Sequence, residues 1–186
     1  MRKIMVCLIM LVVMASVANA KEGFYLGAQV PYNMVGGDFD NKTMPKLDSG
    51  VGIGLIAGYA FIPSFALEID YSATAHKWNS GGLSGTLGMG ELSLNGKYSF
   101  LTETELQPSL FAGIGSFAIG DSSLMLSGTG YNLGIGADYY VTPNVSIGAG
   151  LIRKFITYDK ADHGYVLTRN VNGDTTSIRL DITYHF

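Results

Sequence analysis

Seven ionisable residues stand at spacings that could support chemistry. Glu68, Asp70, Glu91, Lys97, Asp138, Arg179 and Asp181 each fall, in an extended chain, on the face opposite an apolar one. Such residues could transfer protons, bind a cation or pair with one another. A hydrolytic site also needs a histidine beside a nucleophile and a carboxylate, and the chain offers His76, His163 and His185. His76 follows Asp70, Ser72 and Thr74 on one strand face, but no His-x-Ser pair accompanies it, and a polar residue at a strand rim accounts for it. His163 stands in Asp162-His163-Gly164, where solvation suffices, and His185 is simply the neighbour of Phe186. The segment Asp38-Phe39-Asp40-Asn41 lacks the glycine and the final glutamate of a calcium loop. No catalytic set, metal site or cofactor is therefore expected, and the chain is not read as an enzyme.

The elements that must position these residues are clearest at the end of the chain. Thr176, Ile178, Leu180, Ile182, Tyr184 and Phe186 alternate with Thr175, Ser177, Arg179, Asp181, Thr183 and His185. A strand sends alternate side chains to opposite faces, so this segment has one apolar and one ionic face.

The start of the chain sets the compartment. Arg2 and Lys3, the apolar run Ile4 to Val17 and Ala18-Asn19-Ala20 have the form of a secretory signal. Cleavage after Ala20 would remove Cys7, the single cysteine, and leave 166 of 186 residues as one domain, 21–186. Without Arg2 and Lys3, 10 basic residues face 15 acidic ones, a net charge of −5 that argues against nucleic acid as a partner.

Eight strands in meander order are expected: Gly23 to Tyr32, Val51 to Phe61, Phe65 to His76, Gly85 to Phe100, Leu106 to Ile119, Gly128 to Tyr140, Val145 to Thr157 and Thr175 to Phe186. The uncharged stretch Val51 to Leu67 contains Pro63 and three glycines and reads as two strands about a turn, not a helix. Long and short connections alternate, Met34–Ser49 and Tyr158–Asp174 being the longest. This is the asymmetry of barrels with short periplasmic turns and long extracellular loops.

Aromatic residues gather at the strand ends. Phe24, Tyr59, Phe61, Phe65, Tyr98, Phe100, Tyr139, Tyr184 and Phe186 would lie at the periplasmic level, and Tyr32, Trp78, Phe155 and Tyr158 at the other. Two such rings are the interfacial girdles of a membrane barrel. A cation facing lipid near the midplane costs roughly 2–4 kcal/mol, so the seven ionisable residues must face inward. The expected fold is all-β: an eight-stranded antiparallel up-and-down transmembrane β-barrel with a polar interior and an apolar exterior.

Two finer expectations concern charge. If Phe65 and Phe100 are level, Glu68 opposes Lys97 and Asp70 opposes Asn95, unless barrel stagger shifts the register and gives Lys97 to Asp70. Arg179 would serve Asp181 or an acid on a neighbouring strand. Arg153 and Lys154 are adjacent, so without a bulge one of them faces outward near the outer rim, where it could meet lipopolysaccharide phosphates.

The segment Glu22-Gly23-Phe24-Tyr25-Leu26-Gly27-Ala28 and the end Tyr184-His185-Phe186 resemble the opacity-protein-like surface antigens and the OmpA/OmpX-type transmembrane domain. The resemblance spans the mature chain and is one of pattern more than of unique motif. It implies an outer-membrane protein of a Gram-negative bacterium, exported through the periplasm, with Tyr184 and Phe186 as a C-terminal signal for the barrel-assembly machinery. It also implies a surface or structural role through extracellular loops, with lipid, lipopolysaccharide and an unidentified extracellular ligand as partners, and it carries no catalytic residues to transfer. The alternatives are a narrow small-molecule channel like that of OmpW-type barrels and, with less support, a lipid A-modifying enzyme.

Overall fold

The computed structural model describes residues 22–39, 44–80, 82–162, 167 and 169–186. The leader Met1 to Ala20 with Cys7, the pair Asp40-Asn41 and His163 lie outside the described residues.

The described residues form nine strands: β1 (Gly23–Val35), β2 (Gly50–Ile62), β3 (Phe65–Ser80), β4 (Leu83–Ser99), β5 (Leu106–Gly120), β6 (Met125–Thr142), β7 (Val145–Ala161), β8 (Val171–Asn172) and β9 (Thr175–His185). Each of β1 to β7 pairs antiparallel with the next, and β9 pairs with both β7 and β1, closing a ring of eight. The two-residue β8 adds to the upper end of β7 at Thr157 and Tyr158. Closure leaves no edge and satisfies the backbone internally, the condition for crossing lipid with strands.

The period of two decides which face is which. Ile53 and Ile114 are 76% and 68% exposed, whereas Glu68 and Asp70 are 1% and 5% exposed. The wall is apolar outside and polar inside, inverted relative to a soluble barrel. The turns Ile62-Pro63-Ser64 and Thr142-Pro143-Asn144 are tight and carry register shifts. In the third short turn, Leu101 takes a positive φ of 53° and Thr104 N donates to its carbonyl.

Strands run farther at the upper end than their alternation indicates. The segment Lys77–Ser84, expected as a loop, is mostly ladder, with Asn79 opposite Ser84. Trp78 explains part of this: its indole covers Gly85, where a Cβ would sit 2.6 Å from Nε1. Likewise β7 continues to Ala161, past a register shift opposite Ser127 and Gly128, and the expected loop Tyr158–Asp174 contributes β8. The lower aromatic ring forms as edge contacts, including Phe24–Tyr59 at 4.7 Å and Tyr184–Phe186 at 5.0 Å. Trp78 and Tyr158 do not join the upper ring. Both fall on the inward phase, and Tyr158 is fully buried. Tyr32, Tyr71 and Tyr131 face outward there, and Phe155 stacks on Tyr131 at 4.8 Å.

Candidate functional site

The lumen is built in layers. At the periplasmic floor the His185 ring lies 5.1 Å from both Tyr25 and Tyr140, and its Nε2 is 3.1 Å from Ser146 Oγ. The Tyr25 hydroxyl donates to Glu68 Oε1 at 2.9 Å, joining the floor to the ionic layer above.

That layer draws on strands which are not neighbours. Lys97 of β4 lies 3.3 Å from Glu68 and 2.8 Å from Asp138 of β6. Arg179 of β9 lies 3.1 Å from Asp70, 3.7 Å from Glu68 and 3.2 Å from Asp181. Its guanidinium also sits 4.8 Å from the centre of the Phe111 ring, which projects inward from β5. Higher up, Lys154 pairs with Glu91, whose carboxylate also accepts from Ser72 and Ser93. Among the described lumen residues, these five acids outnumber the three bases Lys97, Lys154 and Arg179. Neutral donors support the excess: Gln29 and Asn95 donate to Asp70, and Thr183 to Asp181. A buried charge stripped of such partners costs several kcal/mol.

Above the ions the lumen turns apolar. Met89, Phe117, Ile119, Leu126, Ile156, Tyr158 and Val171 form a plug, and Phe39 and Leu47 fold onto it from the segments between β1 and β2. Phe39 meets Tyr158 edge-on at 6.1 Å. The Leu47 backbone bridges to Trp78, and Asp48 N donates to the Lys77 carbonyl. His76 ties the same segment down, with Nδ1 3.0 Å from the Asp48 carbonyl and Nε2 2.9 Å from Thr74 Oγ1. Both of its ring nitrogens are thereby occupied. A cavity of about 10 Å³ remains among the ionic residues, whereas a pocket of about 290 Å³ opens at the mouth between Phe39, Leu47, Trp78, Leu87, Ile119 and Leu124. Its rim holds Asp121, whose carboxylate accepts from the backbone N–H groups of Ser123 and Leu124 and is thereby held below the usual range.

All seven ionisable residues singled out by spacing face inward, and six are at most 7% exposed, Lys97 being slightly more open. The register that places them differs from the expected one. Phe65 opposes Tyr98, not Phe100, so Glu68 opposes Asn95 and Asp70 opposes Ser93. Phe100 has already left β4, and its N–H donates to the Pro108 carbonyl. The slip is two residues, so every side chain keeps its face. Lys97 reaches Glu68 on the diagonal, and Asn95 donates to Asp70 in the same way.

The pair Arg153-Lys154 divides between the two faces. The ladder is unbroken on both sides of it, and the bulge lies farther along β7. Parity therefore sends Arg153 out and Lys154 in, so Lys154 belongs to the ionic interior and only Arg153 is placed to meet a group outside the wall. Arg153 donates to Thr176 Oγ1 at 2.8 Å and to Asp174 at 3.0 Å. Tyr184 projects outward, and Phe186 N donates to the Phe24 carbonyl. In the sequence the apolar plug is marked only by the weak alternation of β5, where Phe111, Phe117 and Ile119 take the inward phase.

The chain matches the family model described as outer membrane protein beta-barrel domain over residues 4–186. A search of curated proteins found no match. Among solved structures, Neisserial surface protein A is similar at 21% identity and a TM-score of 0.67, over 88% of this chain and 97% of that one. OprG of Pseudomonas aeruginosa is similar at 16% identity and 0.60, over 89% and 96%. The attachment invasion locus protein Ail of Yersinia pestis is similar at 19% and 0.53, over 89% and 99%. With the inverted wall and the ring of eight strands, the match places this chain in the outer membrane of a Gram-negative bacterium, and it belongs to the family of outer-membrane β-barrel domain proteins.

Proposed function

We propose that this protein is a surface component of the outer membrane that acts through its extracellular end, on a barrel whose interior is closed. One observation carries the reading: the lumen is filled by ion pairs and an apolar plug, whereas the mouth above the plug opens as an apolar pocket. A filled interior gives rigidity to the hairpin tips and no water path, and function then falls to the loops. Two of the similar structures are of proteins named for surface location or attachment, and one of them holds a heparin analogue. In this reading the outward Tyr184 and the terminal Phe186 serve as the strand signal for assembly. Replacing the loop segments 36–49 and 162–170, which lie between β1 and β2 and between β7 and β8, by short turns tests the proposal in a whole-cell adhesion or pull-down assay. Capture should be lost while the barrel stays heat-modifiable on a gel; undiminished capture would reject it.

A second reading, a narrow small-molecule channel, is favoured by the same pocket if it serves as an entrance. It requires the plug and the Lys154–Glu91 layer to part.

A further inference from the structure

The lipid-facing wall between β3 and β7 alternates ridges with two grooves, an upper one of about 870 Å³ along Leu92, Ser116, Thr129 and Thr157, with no charged residue in its lining among those described, and a lower one. Following the ladders sideways, Phe65, Tyr98, Leu110, Ile135 and Leu151 form one row of large side chains. Ile69, Leu94, Ile114, Tyr131 and Phe155 form another. The row between them runs Leu67, Gly96, Ala112, Leu133, Arg153, Thr176, and at Gly96 and Ala112 it has almost no side chain. A Cβ placed on Gly96 would meet nothing nearer than 3.7 Å. The result is a valley of about 800 Å³ that climbs from Phe65 in the lower aromatic ring to Arg153 and Thr176 near the outer rim.

We propose that this valley seats an acyl chain of lipid A, the membrane anchor of lipopolysaccharide, with Arg153 holding a phosphate at its head. The valley lies on the face that meets hydrocarbon, so its occupant is a lipid chain, and its only charged lining residue among those described stands at the upper end. Arg153 is suited to that place. Its guanidinium is pinned from one side by Thr176 and Asp174 and lies 5.6 Å from the Phe155 ring, yet its side chain stays 45% exposed. An arginine fork held in this way keeps donors for a phosphate, and a cation at rim depth costs only about 0–1 kcal/mol. A valley that ends at the outer rim opens to the outer leaflet, which favours lipid A over a glycerophospholipid. Lys154, next in sequence, is committed to Glu91 inside the lumen and takes no part.

The test uses the full chain purified from outer membranes in mild detergent, with retained lipid A and glycerophospholipid quantified per barrel by mass spectrometry. Arg153→Gln removes the head contact, Ala112→Trp fills the valley, and Leu55→Trp adds the same bulk on β2, outside it. Ala112→Phe replaces the tryptophan variant if the latter fails to assemble. Retained lipid A should fall about threefold or more in both valley variants, the scale of one exposed ionic contact, and should hold in Leu55→Trp, with heat-modifiability kept throughout. Equal retention in all variants overturns the proposal. A fall in Arg153→Gln alone overturns the seated chain, and loss of glycerophospholipid in place of lipid A overturns the occupant.

Discussion

Lys154 meets Glu91 across the lumen from a strand three places away around the ring. The ladder runs from β4 through β5 and β6 to β7, so the contact passes through the barrel interior and not along its wall. Arg179 does the same between β9 and β3 through Asp70. These ties fasten opposite walls together above and below the small central cavity.

Lys154→Ala should therefore cost about 3–5 kcal/mol, the scale for stripping one partner from a buried pair. Glu91→Ala with Lys154→Ala should cost less than the sum of the singles, because the double variant leaves no orphaned charge. The thermal midpoint of the folded-to-unfolded gel shift measures this, and strict additivity would show that the pair is not coupled.

The glycines of the inner and outer walls separate by what lies against them. At Gly58 a Cβ would fall 2.2 Å from Tyr25 Cζ, and the Tyr25 hydroxyl is held by Glu68. Gly58→Ala should destabilise by about 1–3 kcal/mol through overpacking. Gly90 on the outer wall has nothing within 4 Å, and Gly90→Ala should stay within about 0.5 kcal/mol. Denaturant titration in one detergent compares the two, and equal shifts would mean that the floor of the lumen tolerates rearrangement.

Planar-bilayer recording should show little or no steady conductance in the wild type, because only about 10 Å³ remains among the ionic residues and the plug closes the lumen above them. A large porin-like conductance would overturn the closed reading and favour the channel.

Trp78 is the sole tryptophan of the chain and lines the mouth pocket. A short brominated alkane should quench its emission with saturation if the pocket takes apolar groups. Quenching that rises linearly without saturation would point to simple partition into detergent.

Much of this architecture was legible in local pattern. The alternation in β9, from Ile178 beside Arg179 to Tyr184 beside His185, assigns each side chain to a face whatever the strand pairs with. The same holds for Glu68, Asp70, Glu91 and Asp138. The Arg153-Lys154 pair marks where such reading stops, since a bulge anywhere upstream in β7 would exchange the two, and only the unbroken ladder shows that none does.

The sequence by itself determined that the chain is a closed meander of eight long strands with charges inside and lipid outside. A side-chain period of two assigns the faces, the cost of charge in hydrocarbon turns the ionic face inward, and the turn spacing and the aromatic ends point to eight strands crossing a membrane. Only the tertiary structure decided which acid meets which base. Register between strands depends on where each hairpin closes, as at Phe65 and Tyr98, and the tilt of a closed barrel brings residues of distant strands to one level. The apolar plug was decided there too. Phe39 and Leu47 become core residues because the ring beneath them presents Phe117, Ile119 and Tyr158, a surface that no single strand displays.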